Sequence, residues 1–191
     1  MIVGLAVVLP AARSVAPIRH GSYIWQREWS TGLRDAVRQT QAVFAEWVVL
    51  AAEIDLRNGG APLLARVSPD YHCLRQSGRS VGLAIRVGPY SGSLDPDRPE
   101  SGLIRRLAVE VLADARSQGV EPAQLQLDFD AATRQLGDYR KWLEALRQAI
   151  APVPLVVTVL PTWLDSPEFG RLILAADGFV LQVHSFEPPR A

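Results

Sequence analysis

The sequence predicts an α/β fold, a (β/α)8 TIM-barrel-like architecture that is incomplete, with six βα strands in this chain. Three observations lead there. From Ser22 onward, apolar runs of strand length alternate with helix-periodic stretches, the pattern of βα units around a parallel sheet. Polar residues gather at the C-terminal ends of several of those strands, where barrel sites are built. Neither G-x-G-x-x-G nor G-x-x-x-x-G-K-S/T occurs, so dinucleotide and nucleotide phosphates give no reason for an open doubly wound sheet. A full barrel takes ~250 residues and eight strands, whereas this chain has 191 residues and reads FEPPRA directly after the sixth strand candidate, as a truncated gene or fragment would. An open six-stranded sheet is the alternative.

The strand candidates are Tyr23–Trp29, Trp47–Ile54, Val81–Val87, Leu125–Asp130, Leu155–Leu160 and Phe179–His184. Between them, Gly102–Gln118 places Ile104, Leu107, Ala108, Val111, Leu112 and Ala115 on one helical face, and Gly119 stops it. Thr133–Ile150 repeats the pattern with Leu136, Tyr139, Leu143, Leu146 and Ile150, and Pro152 and Pro154 end it. Shorter helices fit Gly32–Gln41 and Pro167–Ala176, and residues 56–80 hold the Asn58-Gly59-Gly60 turn and one irregular helix.

Composition narrows the partners. Hydrophobic residues make up 48% and charged residues 21%, an ordinary globular balance. The 20 basic and 20 acidic residues cancel without a basic run, so the electrostatic footprint of a nucleic-acid binder is missing. Cys73 stands alone, which excludes an intrachain disulfide and a multi-cysteine metal site, and a small buried thiol is its expected role. Residues 1–21 read as an export signal or a disordered N-terminal segment, ahead of a partial barrel domain over 22–191. Ile2 to Leu9 is apolar and Ser14 and Ala16 have an A-x-A-like spacing, although no basic residue comes first and Pro17 follows. That run is too short to span a bilayer, and the compartment stays open, with export to the periplasm or cell envelope as one of the two readings.

The chemistry concentrates in LQLDFD. Alternation points Leu125, Leu127 and Phe129 one way and Gln126, Asp128 and Asp130 the other. A buried parallel strand is normally apolar on both faces, so three polar residues on one face require a wet cavity or mutual pairing. Two carboxylates at this spacing stand roughly 7 Å apart, close enough to raise one pKa and leave the other ionised, as an acid/base pair does. The plainer reading makes Asp130 a helix cap and pairs Asp128 with an arginine. The same parity puts Arg86 on the interior face of VGLAIRV, joins Gln182 to His184 in FVLQVH, and joins Glu53 to Asp55 at the end of the second strand. Trp25 and Trp29, Tyr90 and Trp163 lie near the same strand ends, and tryptophan faces at a cleft mouth suit sugar rings. Trp47 and Trp142 read as structural. No G-x-S-x-G elbow is present, and no H-x-H or H-E-x-x-H suggests a preformed metal site, although Asp128, Asp130, Glu53 and His184 would bind a divalent ion if they converged.

YIWQREW, IRVG, LQLDFD, TVLPTWL and LQVH together resemble a bacterial domain-of-unknown-function family of glycoside-hydrolase-like (β/α)8 barrels, over Ser22 to His184. That resemblance implies an export or lipoprotein signal before the barrel and a further C-terminal portion, and supplies no activity. A weaker similarity is to chitinase-type barrels, whose fourth strand carries D-x-x-D-x-D-x-E. One match puts Asp130 at the general-acid glutamate, with Gln126 and Asp128 at the supporting carboxylates; the other puts Asp128 and Asp130 at the supporting pair and Ala132 at the acid. The first leaves a shorter acid and the second leaves none.

The leading expectation is a glycoside-hydrolase-like protein with Asp130 as general acid and Asp128 as its electrostatic partner or second carboxylate. Arg86, Gln126, Gln182, His184, Glu53, Trp25 and Trp163 would contact a carbohydrate or other small polar ligand, with no cofactor. The alternatives are a carbohydrate-binding barrel without catalysis and a metal-dependent hydrolase.

Overall fold

The computed structural model describes residues 18–56 and 61–183. Six parallel strands form one sheet: β1 (Gly21–Ile24), β2 (Glu46–Asp55), β4 (Ser80–Val87), β5 (Gln124–Phe129), β6 (Leu155–Val159) and β7 (Gly178–Leu181), paired in that order. A further strand, β3 (Leu63–Arg66), runs antiparallel along β2. The helices α1 (Thr31–Thr40), α2 (Tyr71–Gln76), α3 (Pro99–Ser117), α4 (Leu136–Ile150) and α5 (Phe169–Leu174) alternate with the strands. This is an incomplete α/β barrel, as the alternation predicts.

The apolar parity of each strand fixes which face the helices cover. Leu83 and Ile85 of β4, Leu125, Leu127 and Phe129 of β5, and Leu155 and Val157 of β6 are buried in one core with Ile104, Leu107, Leu112, Leu143 and Leu146 of α3 and α4. The other parity is left to the concave face, where register aligns Ala84 with Gln126 and Arg86 with Asp128.

That face is strongly curled. Tyr23 on β1 donates from its hydroxyl to Oε1 of Gln126 on β5 at 2.9 Å. β2 and β4 lie between them, a separation of roughly 14 Å in a flat sheet, so the bond requires the sheet to close into a trough. Gly82 assists: a Cβ there would sit 2.8 Å from Cγ of Gln124, and the open space lets Gln124 cross β4 to reach Glu46 on β2, 2.8 Å away.

Several elements differ from the sequence expectation. The first strand ends at Ile24 and not at Trp29: β1 pairs with Glu46–Val49 of β2, and from Ala52 onward that edge of β2 is taken by β3, while β4 lies along the other edge. Residues 56–80 contribute β3 and the short α2, which Asp70 caps by accepting from the Cys73 backbone N–H at 2.9 Å. α3 starts at Pro99, before Gly102, since proline suits the first helical turn, where its missing N–H costs nothing. Gly119, with φ of +75°, follows its end as anticipated. β5 stops at Phe129, which leaves Asp130 just beyond the strand.

Candidate active site

A cleft of about 570 Å³ opens on the concave face at the C-terminal ends of the parallel strands. Its lining draws Tyr23 and Trp25 from the β1 end, Arg86 from β4, Gln126, Asp128 and Asp130 from β5 and its extension, Thr158 from β6, and Val180, Leu181 and Gln182 from the β7 end. The two outermost parallel strands thus face each other across it, as the curl demands.

Asp128 is the best-held group. Its side chain is 14% exposed; Oδ1 accepts from the Thr158 hydroxyl at 2.9 Å and from Nε2 of Gln182 at 3.4 Å, while Oδ2 lies 3.6 Å from Nε of Arg86. The β5 alternation sends Asp128 inward because Phe129 is committed to the opposite side, packed edge-on against Tyr139 and Trp142. Asp130 is exposed and accepts from the same Gln182 amide nitrogen at 3.3 Å. The two carboxylate oxygens therefore converge on one nitrogen, and their separation cannot exceed the sum of those two contacts. Asp130 caps no helix: the 3-10 turn that follows, Thr133–Gln135, begins from Ala132 without a side-chain cap.

Gln126 forms the floor. It is fully buried, its Oε1 is taken by Tyr23, and its Nε2 is buried without a partner among the described residues. Burial raises the Tyr23 phenol above its ordinary pKa, the negative charges of Asp128 and Glu46 push the same way, and the Gln126 bond opposes them. Tyr23 is accordingly a standing hydroxyl donor at neutral pH. Trp25 stacks on Tyr23 with ring centroids 5.4 Å apart, and the Arg86 guanidinium carbon is 5.8 Å from the Trp25 ring centre.

Three sequence-derived assignments need correction or lie elsewhere. Trp163 is fully buried: its indole nitrogen donates to the Ala131 carbonyl at 3.1 Å and its ring meets Tyr139, so it packs behind the sheet and offers no face to a ligand. Glu53 is ion-paired with Arg27 and lines the neighbouring cavity, outside the Asp128 cleft. His184 lies outside the described residues. Of the other aromatics near the strand ends, Trp29 packs against the core and Tyr90 is buried. Sequence reasoning omitted Tyr23 and Thr158 from the site, although Thr158 is the one polar residue in LVVTV.

Among the described residues no group of three or more His, Cys, Asp and Glu side chains comes together in a way that could hold a metal ion. Cys73 is buried, and that burial, with the Asp70 charge, raises its thiol pKa despite the nearby Arg38 and Arg34. No helix of the described residues is long and apolar enough to cross a membrane.

Residues 78–191, more than half of the chain, match a family described as a domain of unknown function, DUF3142. The chain belongs to the DUF3142 family. The matched part of this DUF3142 chain includes Arg86, Gln126, Asp128, Asp130, Thr158 and Gln182, whereas Tyr23 and Trp25 precede it. No curated protein matches the sequence. Among solved structures, the spore cortex-lytic enzyme SleL of Bacillus cereus superposes with a TM-score of 0.60 at 15% identity, over 91% of this chain and 43% of that one. SleL of Bacillus megaterium gives 0.61 at 12% identity, over 92% and 45%. A pyruvate carboxylase of Rhizobium etli gives 0.54 at 15%, over 83% and 15%. At such identities the likeness is one of fold alone, an α/β barrel type shared by cortex-lytic enzymes and a carboxylase, and the DUF3142 chain spans less than half the length of the cortex-lytic enzymes.

Proposed function

We propose that the cleft binds a glycan and hydrolyses a glycosidic bond, with Asp130 as general acid and Asp128 as the fixed negative charge beside it. The carrying observation is the convergence of both carboxylates on the Gln182 amide at the strand tips. In this reading Asp130 protonates the bridging oxygen as the C–O bond breaks. Asp128, oriented by Thr158, Gln182 and Arg86, faces the oxocarbenium-like centre. Water adds to the anomeric carbon and its proton goes to Asp130, which restores the acid. Trp25, at the cleft mouth, offers an apolar ring to a sugar face. Similarity of fold to cortex-lytic enzymes supports a lytic role without naming the glycan.

The test is Asp130→Asn, measured by reducing-end release from a panel of polysaccharides and by binding. Loss of a general acid should slow hydrolysis by about 10²–10⁴-fold, with affinity kept within a few-fold. A wild-type chain that binds a glycan and releases no product would instead identify a carbohydrate-binding barrel, the second reading, which the shorter acid at position 130 favours.

A further inference from the structure

Arg86 walls two cavities. Beyond the acidic cleft, a second cavity of about 440 Å³ lies between the tip of β2 and the β3 strand, bounded by Arg27, Glu53, Asp55, Leu63, Ala65 and Pro89. Each volume alone falls in the range of ~300–1,000 Å³ that suits one small ligand. Side by side, they suit a longer one.

The wall between them is low. The Arg86 side chain is 57% exposed, and its recorded partners are Asp128, at 3.6 Å from Nε, and the Trp25 ring. Its terminal nitrogens can therefore donate to groups on either side. Antiparallel register puts Leu63 opposite Asp55 and Ala65 opposite Glu53, so an apolar strip runs along the same face as two carboxylates, with Arg27 paired to one of them. Leu63 is 52% exposed there. A pyranose has the matching chemistry: a carbon–hydrogen face for the leucine and hydroxyls that donate to carboxylates and accept from guanidinium.

We infer that this second cavity is an extension subsite, which holds further sugar units of a chain whose reacting bond lies at Asp130, with Arg86 contacting the sugars on both sides. The assignment rests on the glycan reading of the first cleft and makes the substrate class an oligosaccharide or polysaccharide longer than a disaccharide.

The test is a calorimetric titration of the chain with β-1,4-linked N-acetylglucosamine oligomers from dimer to hexamer. The hexamer should bind about tenfold or more tightly than the dimer, a difference of about 1.4 kcal/mol. Two variants on the edge strand probe the cavity: Ala65→Leu fills it and Leu63→Ala removes its apolar wall. Both should erase most of the length-dependent gain and leave dimer affinity within about twofold, since neither side chain lines the first cleft. Equal affinity for dimer and hexamer, or a gain that survives in both variants, would overturn the extension subsite and leave the first cleft's reading intact. Failure of every oligomer to bind would overturn the glycan reading for this sugar class and the subsite with it.

Discussion

Gln126 has one half of its amide satisfied and depends on a single phenol for it. Tyr23→Phe should leave a fully buried amide without a partner, at a cost of about 1–3 kcal/mol. Adding Gln126→Leu should recover most of that loss, because replacing both members of a buried pair by apolar groups is close to neutral. Urea midpoints of the two single variants and the double would measure the coupling. At this scale the sequence was informative where alternation was strict: LQLDFD assigns Asp128 and Gln126 to the concave face, and IRV does the same for Arg86. It misassigned Trp163 because a residue just past a strand can turn either way. Here a 3-10 turn, Pro161–Trp163, carries the indole back towards Tyr139 and the Ala131 carbonyl.

Among the elements, β6, β7 and α4 are joined at the end of the sheet away from the cleft by Asp177. Its carboxylate accepts from the Leu155 backbone N–H at 2.9 Å and pairs with Arg147. Partial burial opposes ionisation, but the Leu155 and Arg147 contacts outweigh it and hold the group below its ordinary value of 3.8. A depressed folded-state pKa stabilises the fold fully above the ordinary carboxyl range, and that contribution is lost as pH falls through the lower folded value. Asp177→Asn should therefore lower the melting temperature at pH 7 and flatten its decline between neutrality and about pH 3; parallel melting curves of the two proteins at both pH values would refute this. The five strands beyond β1 and the long helices were readable because their apolar periodicity is sustained. β3 was not, since four residues on an edge, with both leucines partly in solvent, carry no alternation. β1 ran short because, beyond the four residues it pairs with, the edge of β2 is occupied by β3.

For the molecule as a whole, curvature decides whether the polar face is a surface or a cleft. It comes from contacts no local pattern announces, the Tyr23–Gln126 bond across two intervening strands and the gap above Gly82. The same trough has β1 and β7 as outer parallel strands, each paired on one side only among the described residues. Near β7, Leu174 and Val183 are exposed and Phe179 is 46% exposed. Unprotected edges beside apolar surface favour association between chains. The 191-residue protein should self-associate with rising concentration in light scattering, and Leu174→Lys should reduce this while changing stability by no more than about 0.5 kcal/mol. A wild-type chain that stays monomeric throughout would contradict it.

The pairing of β2 with β4 skips one residue, Ala51, between Leu50 opposite Ala84 and Ala52 opposite Ile85. Were the strand regular, Ala51 would take the place opposite Ile85 and Glu53 would fall opposite Val87, turned into the helix layer. The irregular residue is secured from outside, since its carbonyl accepts from the Val67 backbone N–H at 2.9 Å, immediately after β3. β3 and the residue after it thus act as a ratchet pawl for the longest strand, and loosening them would rotate a carboxylate out of the open cavity and into the apolar helix layer.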